Sequence, residues 1–65
     1  MFQNNVREFL KVSQLSKTNF CRGVGISATM LNCWLRGERN ISTNLENRIR
    51  EYMQNYVKRL IEIAT

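Results

Sequence analysis

A chain of 65 residues that is 43% hydrophobic suits one small folded domain, residues 1–65, and is too apolar for a disordered segment. It contains no His, no Asp, only two Cys and no long apolar run, so we expect no enzyme, no metal or cofactor site and no membrane span. Its net charge is +5, and residues 11–45 hold five basic residues and one acidic residue, which suggests a polyanionic partner such as nucleic acid.

The first predicted helix runs from about Asn5 to Ser13. Asn5 can act as its N-cap, and Glu8 stands three residues later, at the spacing of a capping box. Val6, Phe9 and Leu10 share one face at helical spacing, so this face is predicted to pack on the core.

The second predicted helix begins after Ser16, a good N-cap, and ends near Val24 and Gly25. Leu15 and Phe20 flank the cap at the spacing of a hydrophobic staple. Gly25 can take a positive φ, the usual device at a helix C-terminus, so a tight turn is predicted there.

The third predicted helix begins after Ser27, another N-cap, and ends at Gly37. Its apolar stripe is Leu31, Trp34 and Leu35, and Trp34 is interpreted as a core residue rather than as a stacking platform for single strands. The opposite face carries short or polar side chains: Ala28, Thr29, Asn32, Cys33 and Arg36.

The fourth predicted helix begins at Thr43, where residues 43–46 have the spacing of a capping box. Its apolar residues recur at intervals of three and four to about Ala64. A helix of some twenty residues is long for this domain, so a break near Asn55, giving a fifth helix, is the alternative.

Residues 17–37 carry a pattern of small, glycine and bulky apolar positions: Cys21, Gly25, Ile26, Leu31, Trp34, and Leu35 before Arg36 and Gly37. This pattern resembles the helix-turn-helix of the Cro and lambda-repressor-like, or XRE-type, family. Gly23 departs from it, because the family usually has a helix former there. Lys17 and Ala28 also depart from it, since they stand where the family often has Gln.

The resemblance implies an all-α fold of four or five helices whose helix 27–36 lies in the DNA major groove. By position, the residues facing bases would be Ser27, Ala28, Thr29, Asn32 and Cys33, and those near phosphates Lys17, Arg36, Arg39 and Asn40. For each of these the alternative is a purely structural role; Ser27, for example, can serve only as a helix cap.

The apolar stripe continues beyond what a core this small can cover, through residues 56–64. Tyr56, Val57, Leu60 and Ile61 are therefore predicted to form a dimerisation surface, in keeping with a family whose members are mostly dimers on two-fold operators. The alternatives are that the helix end folds back on the domain or is covered by a further domain.

With this resemblance, we expect a double-stranded DNA-binding homodimer, a bacterial or phage-type transcriptional regulator that represses by occupying a promoter, with activation left open. The N-terminal residues lack the pattern of a secretory signal, so a cytoplasmic location and reduced thiols are expected. One alternative function is a helical protein-interaction module or an antitoxin whose main partner is a protein. The other is binding of single strands or RNA, which the lack of interleaved exposed aromatics disfavours.

Overall fold

The computed structural model describes residues 2–65, which form four α-helices and, within that range, no strand. They are α1 (Phe2–Ser13), α2 (Lys17–Val24), α3 (Ala28–Leu35) and α4 (Thr43–Ala64). The all-α prediction is confirmed. The fourth helix is continuous past Asn55, so the alternative with a fifth helix is wrong.

Three serines set where α2, α3 and α4 begin. The hydroxyls of Ser16, Ser27 and Ser42 each accept a hydrogen bond, at 3.1 Å, from the backbone N–H three residues later. These bonds satisfy donors that have no partner within the first turn of a helix. The first two caps were predicted from sequence. The predicted capping box at Thr43 is wrong, because Ser42 is the cap and Glu46 instead pairs with Arg50 at 2.8 Å.

The start of α1 also differs from its prediction. The helix already includes Phe2, and Asn5 lies exposed inside it rather than at its N-cap. Early entry into the helix brings the Phe2 ring against Trp34, with 5.7 Å between ring centroids, and under the guanidinium of Arg50 at 4.1 Å. Tertiary contacts of an aromatic side chain thus extend the helix beyond its local cap signal.

The turn between α2 and α3 depends on Gly25, whose φ is +89°. The N–H groups of Gly25 and Ile26 both donate to the carbonyl of Cys21, at 2.7 and 3.0 Å. Arg48 of α4 donates to the carbonyl of Val24, the residue before Gly25, at 2.6 Å. The predicted positive φ is confirmed. The turn is held by hydrogen bonds within its own backbone and by the bond from Arg48 of α4.

The core draws on all four helices, and α2 and α3 supply most of it. Its buried side chains are Val6, Phe20, Cys21, Val24, Leu31, Trp34, Leu35 and Ile49. Burial raises the pKa of the Cys21 thiol, so this sulfur stays protonated and behaves as a small apolar residue. Trp34 is only 4% exposed, which confirms it as a core residue.

Gly23, which departs from the family pattern, has a structural reason to be glycine. A Cβ at this position would overlap the ring of Tyr52, so α2 and α4 approach here more closely than any larger residue allows. The Tyr52 ring in turn packs edge-on against Phe20, 5.3 Å between centroids. Glycine lowers the helix propensity of α2 at this position, but it allows the Tyr52 ring to pack closely against α2.

The end of α4 projects from the domain. Its 22 residues span about 33 Å at 1.5 Å per residue, and the molecule measures 40 × 22 × 22 Å. Ile49 is its last buried residue, and every residue from Val57 onward is exposed. None of the helices within residues 2–65 has the length and apolar character needed to cross a membrane.

Candidate nucleic-acid interface

One face of α3 points away from the core and collects all five of the predicted base-contacting residues. Ser27, Ala28 and Thr29 are exposed at its N-terminal end, and Asn32 and Cys33 are half-buried one turn later. Leu31, Trp34 and Leu35 point the other way, into the core. The short side chains leave the backbone of α3 accessible to a flat or grooved partner.

Within this face, Ser27 already has a structural task. Its hydroxyl accepts the N–H of Met30 and thereby caps α3. A hydroxyl has one donor and two acceptor positions, so it retains its O–H for a second partner. Ser27 therefore caps α3, as its alternative role predicted, and a contact with DNA would use the O–H that the cap leaves free.

Lys17 lies at the N-terminus of α2 and meets α3 directly. Its ammonium donates to Oδ1 of Asn32 at 3.1 Å. Because an ammonium can only donate, this contact also fixes which end of the carboxamide faces it: the oxygen faces Lys17 and the NH₂ group remains free. A predicted phosphate contact and a predicted base contact thus adjoin each other across the two helices.

Arg36 and the loop after it form the far edge of the face. The Arg36 guanidinium pairs with Glu38 at 3.0 Å and approaches the sulfur of Cys33 at 3.7 Å, and the bond to Glu38 raises its pKa. Both partners of this pair are more than half exposed, so it contributes little to stability and can open for another anion.

Arg39 and Asn40 are exposed in the loop that follows α3. The ion pairs among residues 2–65 are Arg36–Glu38 and Arg50–Glu46, which leaves Arg39 without an acidic partner in that range. Its charge is therefore available to an anion outside the domain.

Arg7 was missed by sequence reasoning. It lies on α1, outside the motif, yet its guanidinium donates to the carbonyl of Leu35 at the end of α3 and to Oδ1 of Asn4 at 2.9 Å. A cavity of about 320 Å³ on this side is lined by Arg7, Leu10, Lys17, Asn32, Leu35 and Arg36. No local motif marks Arg7, because only the packing of α1 on α3 brings it to this cavity.

A second surface, at the projecting end of α4, contains the residues predicted to mediate dimerisation. Val57, Leu60 and Ile61 are 46%, 51% and 59% exposed. Tyr56 differs: it is half-buried, and its ring packs edge-on against Phe9 of the same chain, 5.3 Å between centroids.

Two apolar grooves flank Val57. The inner groove, between α1 and α4, has a volume of about 320 Å³ and is lined chiefly by Phe9, Val12, Tyr56, Val57 and Leu60. The outer groove, of about 640 Å³, has an apolar floor of Phe9, Met53, Val57 and Ile61 and a polar rim of Gln54, Lys58 and Glu62. Val12, 73% exposed on α1, adds to this surface and was not among the predicted residues.

Comparison with known proteins yields no relative: no protein-family model matches the chain, and no curated protein or solved structure is detectably similar to it. The resemblance to the XRE-type family therefore depends on the residues themselves. Within residues 2–65, no cluster of three His, Cys, Asp or Glu residues is placed to hold a metal ion.

Proposed function

We propose that this chain is a sequence-specific double-stranded DNA-binding protein of the XRE-type helix-turn-helix class. The observation that carries the proposal is the outward face of α3, where small and polar side chains are bordered by Lys17, Arg36 and Arg39. An α-helix fits the DNA major groove, and short polar side chains let it approach the base edges.

In this proposal, Asn32 is the principal base reader. Its carboxamide can bond bidentately to adenine, with NH₂ donating to N7 and Oδ1 accepting from N6. The contact from Lys17 uses one of the two acceptor positions of Oδ1, which leaves the other position and the NH₂ group for adenine. Thr29 and Ala28, nearer the start of α3, offer contacts to a thymine methyl.

The cations around α3 serve the phosphates of the backbone. Lys17 and Arg36 line the same cavity beside Asn32, and Arg39 and Asn40 are exposed in the loop after α3, so these side chains border the reading face where phosphates would lie. Arg36 exchanges Glu38 for a phosphate on binding. Arg7 supports this arrangement by holding the end of α3 through the Leu35 carbonyl.

We further propose that the protein is a homodimer held by the end of α4, acting in the cytoplasm of a bacterium or phage-infected cell. Val57, Leu60 and Ile61 form the surface, and Tyr56 supports it from below through its packing on Phe9. A two-fold dimer reads two half-sites about 34–36 Å apart, and occupancy of a promoter represses by exclusion.

Selection of binding sites from random duplex DNA tests the proposal. We expect enrichment of a short motif repeated with two-fold symmetry, containing adenine at the position Asn32 contacts. The control is the Asn32→Ala, Arg39→Ala double variant, which should give a weaker enrichment that lacks the adenine preference at that position. If the wild-type chain enriches nothing, the DNA proposal fails, and a protein-binding module or antitoxin becomes the better description.

Binding to duplex DNA should fall steeply with salt. Lys17, Arg36 and Arg39 provide three cations per protomer, so a dimer displaces counterions from about six phosphates, and affinity should drop about 10³-fold between roughly 50 and 200 mM salt. Fluorescence anisotropy with a labelled duplex measures this slope. An affinity that stays constant over this range would exclude a complex built on phosphate contacts.

Asn32→Ala and Arg39→Ala should weaken DNA binding in different ways. Asn32→Ala should cost about 1–3 kcal/mol on the selected site and abolish the preference at one base pair per half-site. Arg39→Ala should lower affinity for selected and random duplexes alike and make the salt slope shallower by about one per protomer. If both variants lower specific and random binding by equal factors, Asn32 does not read a base.

A further inference from the structure

We infer that the cavity between α1, α2 and the end of α3 binds a phosphate group through Arg7 together with Lys17 and Arg36. The group can belong to the DNA backbone, in which case the inference rests on the proposed function and adds Arg7 to its contacts. It can also be a free phosphate ion, which needs no DNA. The two sources share one chemistry, and two separate experiments distinguish them.

Three cationic side chains line this cavity, and each comes from a different helix or helix end. Arg7 extends from α1, Lys17 is the first residue of α2, and Arg36 is the C-cap of α3. Among residues 2–65, no acidic side chain lines the cavity. Three like charges around one space repel each other unless an anion lies between them, so this lining favours an anionic ligand over a neutral or cationic one.

These cations also carry more hydrogen-bond donors than their neighbours use. A guanidinium has five N–H groups, and Arg7 uses two of them, on Leu35 and Asn4. The ammonium of Lys17 has three and uses one, on Asn32. The other N–H groups of both side chains have no acceptor in the part of the chain that the structure describes. Phosphate oxygens are strong acceptors for such charged donors.

The apolar part of the lining strengthens the attraction. Leu35 is buried and Leu10 is half-buried, so one wall of the cavity is apolar. In a cleft lined by one sign of charge, low-dielectric walls concentrate the electric field and raise the local concentration of counter-ions. The volume of about 320 Å³ has room for a phosphate group and for water around it.

Arg36 is the cation of this set that already has an acidic partner. Its guanidinium pairs with Glu38 at 3.0 Å, and the Glu38 side chain is more than half exposed. The pair uses Nε and Nη2 of Arg36, which leaves Nη1 for a phosphate. Glu38 therefore competes with a bound anion for Arg36, and removing its charge should strengthen phosphate binding.

Titration of the full chain with sodium phosphate, with ionic strength held constant by sodium chloride, tests the free ion. Amide shifts in nitrogen–proton correlation NMR spectra measure the Kd and show that each variant is folded. Arg7→Gln and Lys17→Gln should each weaken phosphate binding about fivefold. Arg22→Gln is the matched control, because Arg22 is exposed on α2 and does not line the cavity. It should change the Kd by less than about twofold.

Glu38→Gln provides a second measurement, which a damaged fold cannot imitate because the expected result is a gain. With Arg36 released from its carboxylate, phosphate affinity should rise about threefold. Glu8→Gln makes the same change in net charge at an exposed residue of α1 that lines the inner groove and not this cavity. It should change the affinity by less than about 1.5-fold. Equal gains from both variants would indicate general attraction to a positive surface and overturn the site.

Duplexes in which a neutral methylphosphonate replaces one backbone phosphate test the DNA source. At one position per half-site, the replacement should lower wild-type affinity about fivefold and leave the affinity of Arg7→Gln unchanged, because that variant has already lost the contact. A response to free phosphate without such a position assigns the cavity to the free ion, and the reverse assigns it to the DNA backbone. The inference is overturned if neither measurement depends on Arg7. A chain that binds no duplex refutes the proposed function, and the phosphate titration then decides the cavity by itself.

Discussion

Gly25→Val is expected to unfold the domain at room temperature. Gly25 has a φ of +89°, where a side chain costs roughly 1–2 kcal/mol and a β-branched one more. A Cβ here also overlaps the end of the flexible Arg48 side chain, which would have to move aside and weaken its hydrogen bond to the Val24 carbonyl, a further loss of at most about 1.5–3 kcal/mol for a charged donor. Together these losses reach about 2.5–5 kcal/mol before the extra strain of a β-branched side chain, which falls in the lower half of the total stability of about 3–10 kcal/mol expected for a chain of this size.

Circular dichroism at 222 nm during urea titration measures the effect, and Gly37 provides a matched control. Gly37 has a similar φ of +77°, but no atom lies within 4 Å of the position its Cβ would occupy. Gly37→Ala should therefore cost about 1–2 kcal/mol from backbone strain alone and leave the protein folded. Gly25→Ala should cost clearly more than Gly37→Ala. Equal losses at the two glycines would mean that the contact with Arg48 is unimportant.

A chain ending at Asn55 should stay folded and become monomeric. It keeps every buried residue, because Ile49 is the last of them, and it keeps the half-buried Tyr52 and Met53 that complete the core. It loses Val57, Leu60 and Ile61, the exposed apolar side chains of the proposed interface. In a dimer, binding of one protomer to its half-site raises the effective concentration of the other protomer at the second half-site. A monomer lacks this effect, so affinity for a two-half-site operator should fall about 10²- to 10⁴-fold.

Affinity for a single half-site should change far less. The ratio of the two affinity losses, on the two-half-site operator and on the single half-site, separates lost dimerisation from lost folding.

Point variants of the full chain provide a second test, because Ile61 lines the outer groove whereas Ile63, 80% exposed, lines neither groove. Ile61→Arg should weaken the dimer strongly and Ile63→Arg should not. A truncated chain that sediments as a dimer would place the interface elsewhere.

Much of the architecture could be predicted because its signals are local. Serine caps before α2 and α3, the positive φ of Gly25 and the apolar spacing of Leu31 and Trp34 are properties of a few neighbouring residues. The same local patterns separate the two faces of α3, because its stripe of core residues leaves only one side for Ala28, Thr29 and Asn32.

The errors occurred where local signals competed or were absent. Ser42 and Thr43 are both good caps, and Glu46, three residues after Thr43, gives the spacing of a capping box that favours the wrong one. Asn5 has the chemistry of a cap, but the packing of Phe2 on Trp34 and Arg50 carries α1 past it. Most helical stability in proteins comes from tertiary packing, so the contacts of the half-buried Phe2 decided the start of α1.

By itself, the sequence determined the helical class, the turn at Gly25, the core identity of Trp34 and the positive charge of residues 11–45, because these follow from short-range periodicity, backbone freedom and composition. Only the tertiary structure decided that Lys17 bonds Asn32, that Arg7 reaches the end of α3, and that Gly23 is required beneath Tyr52. It also decided which charges of α4 border an apolar groove. The partners in these contacts lie up to 29 residues apart in the chain, so they meet only when the helices pack against one another.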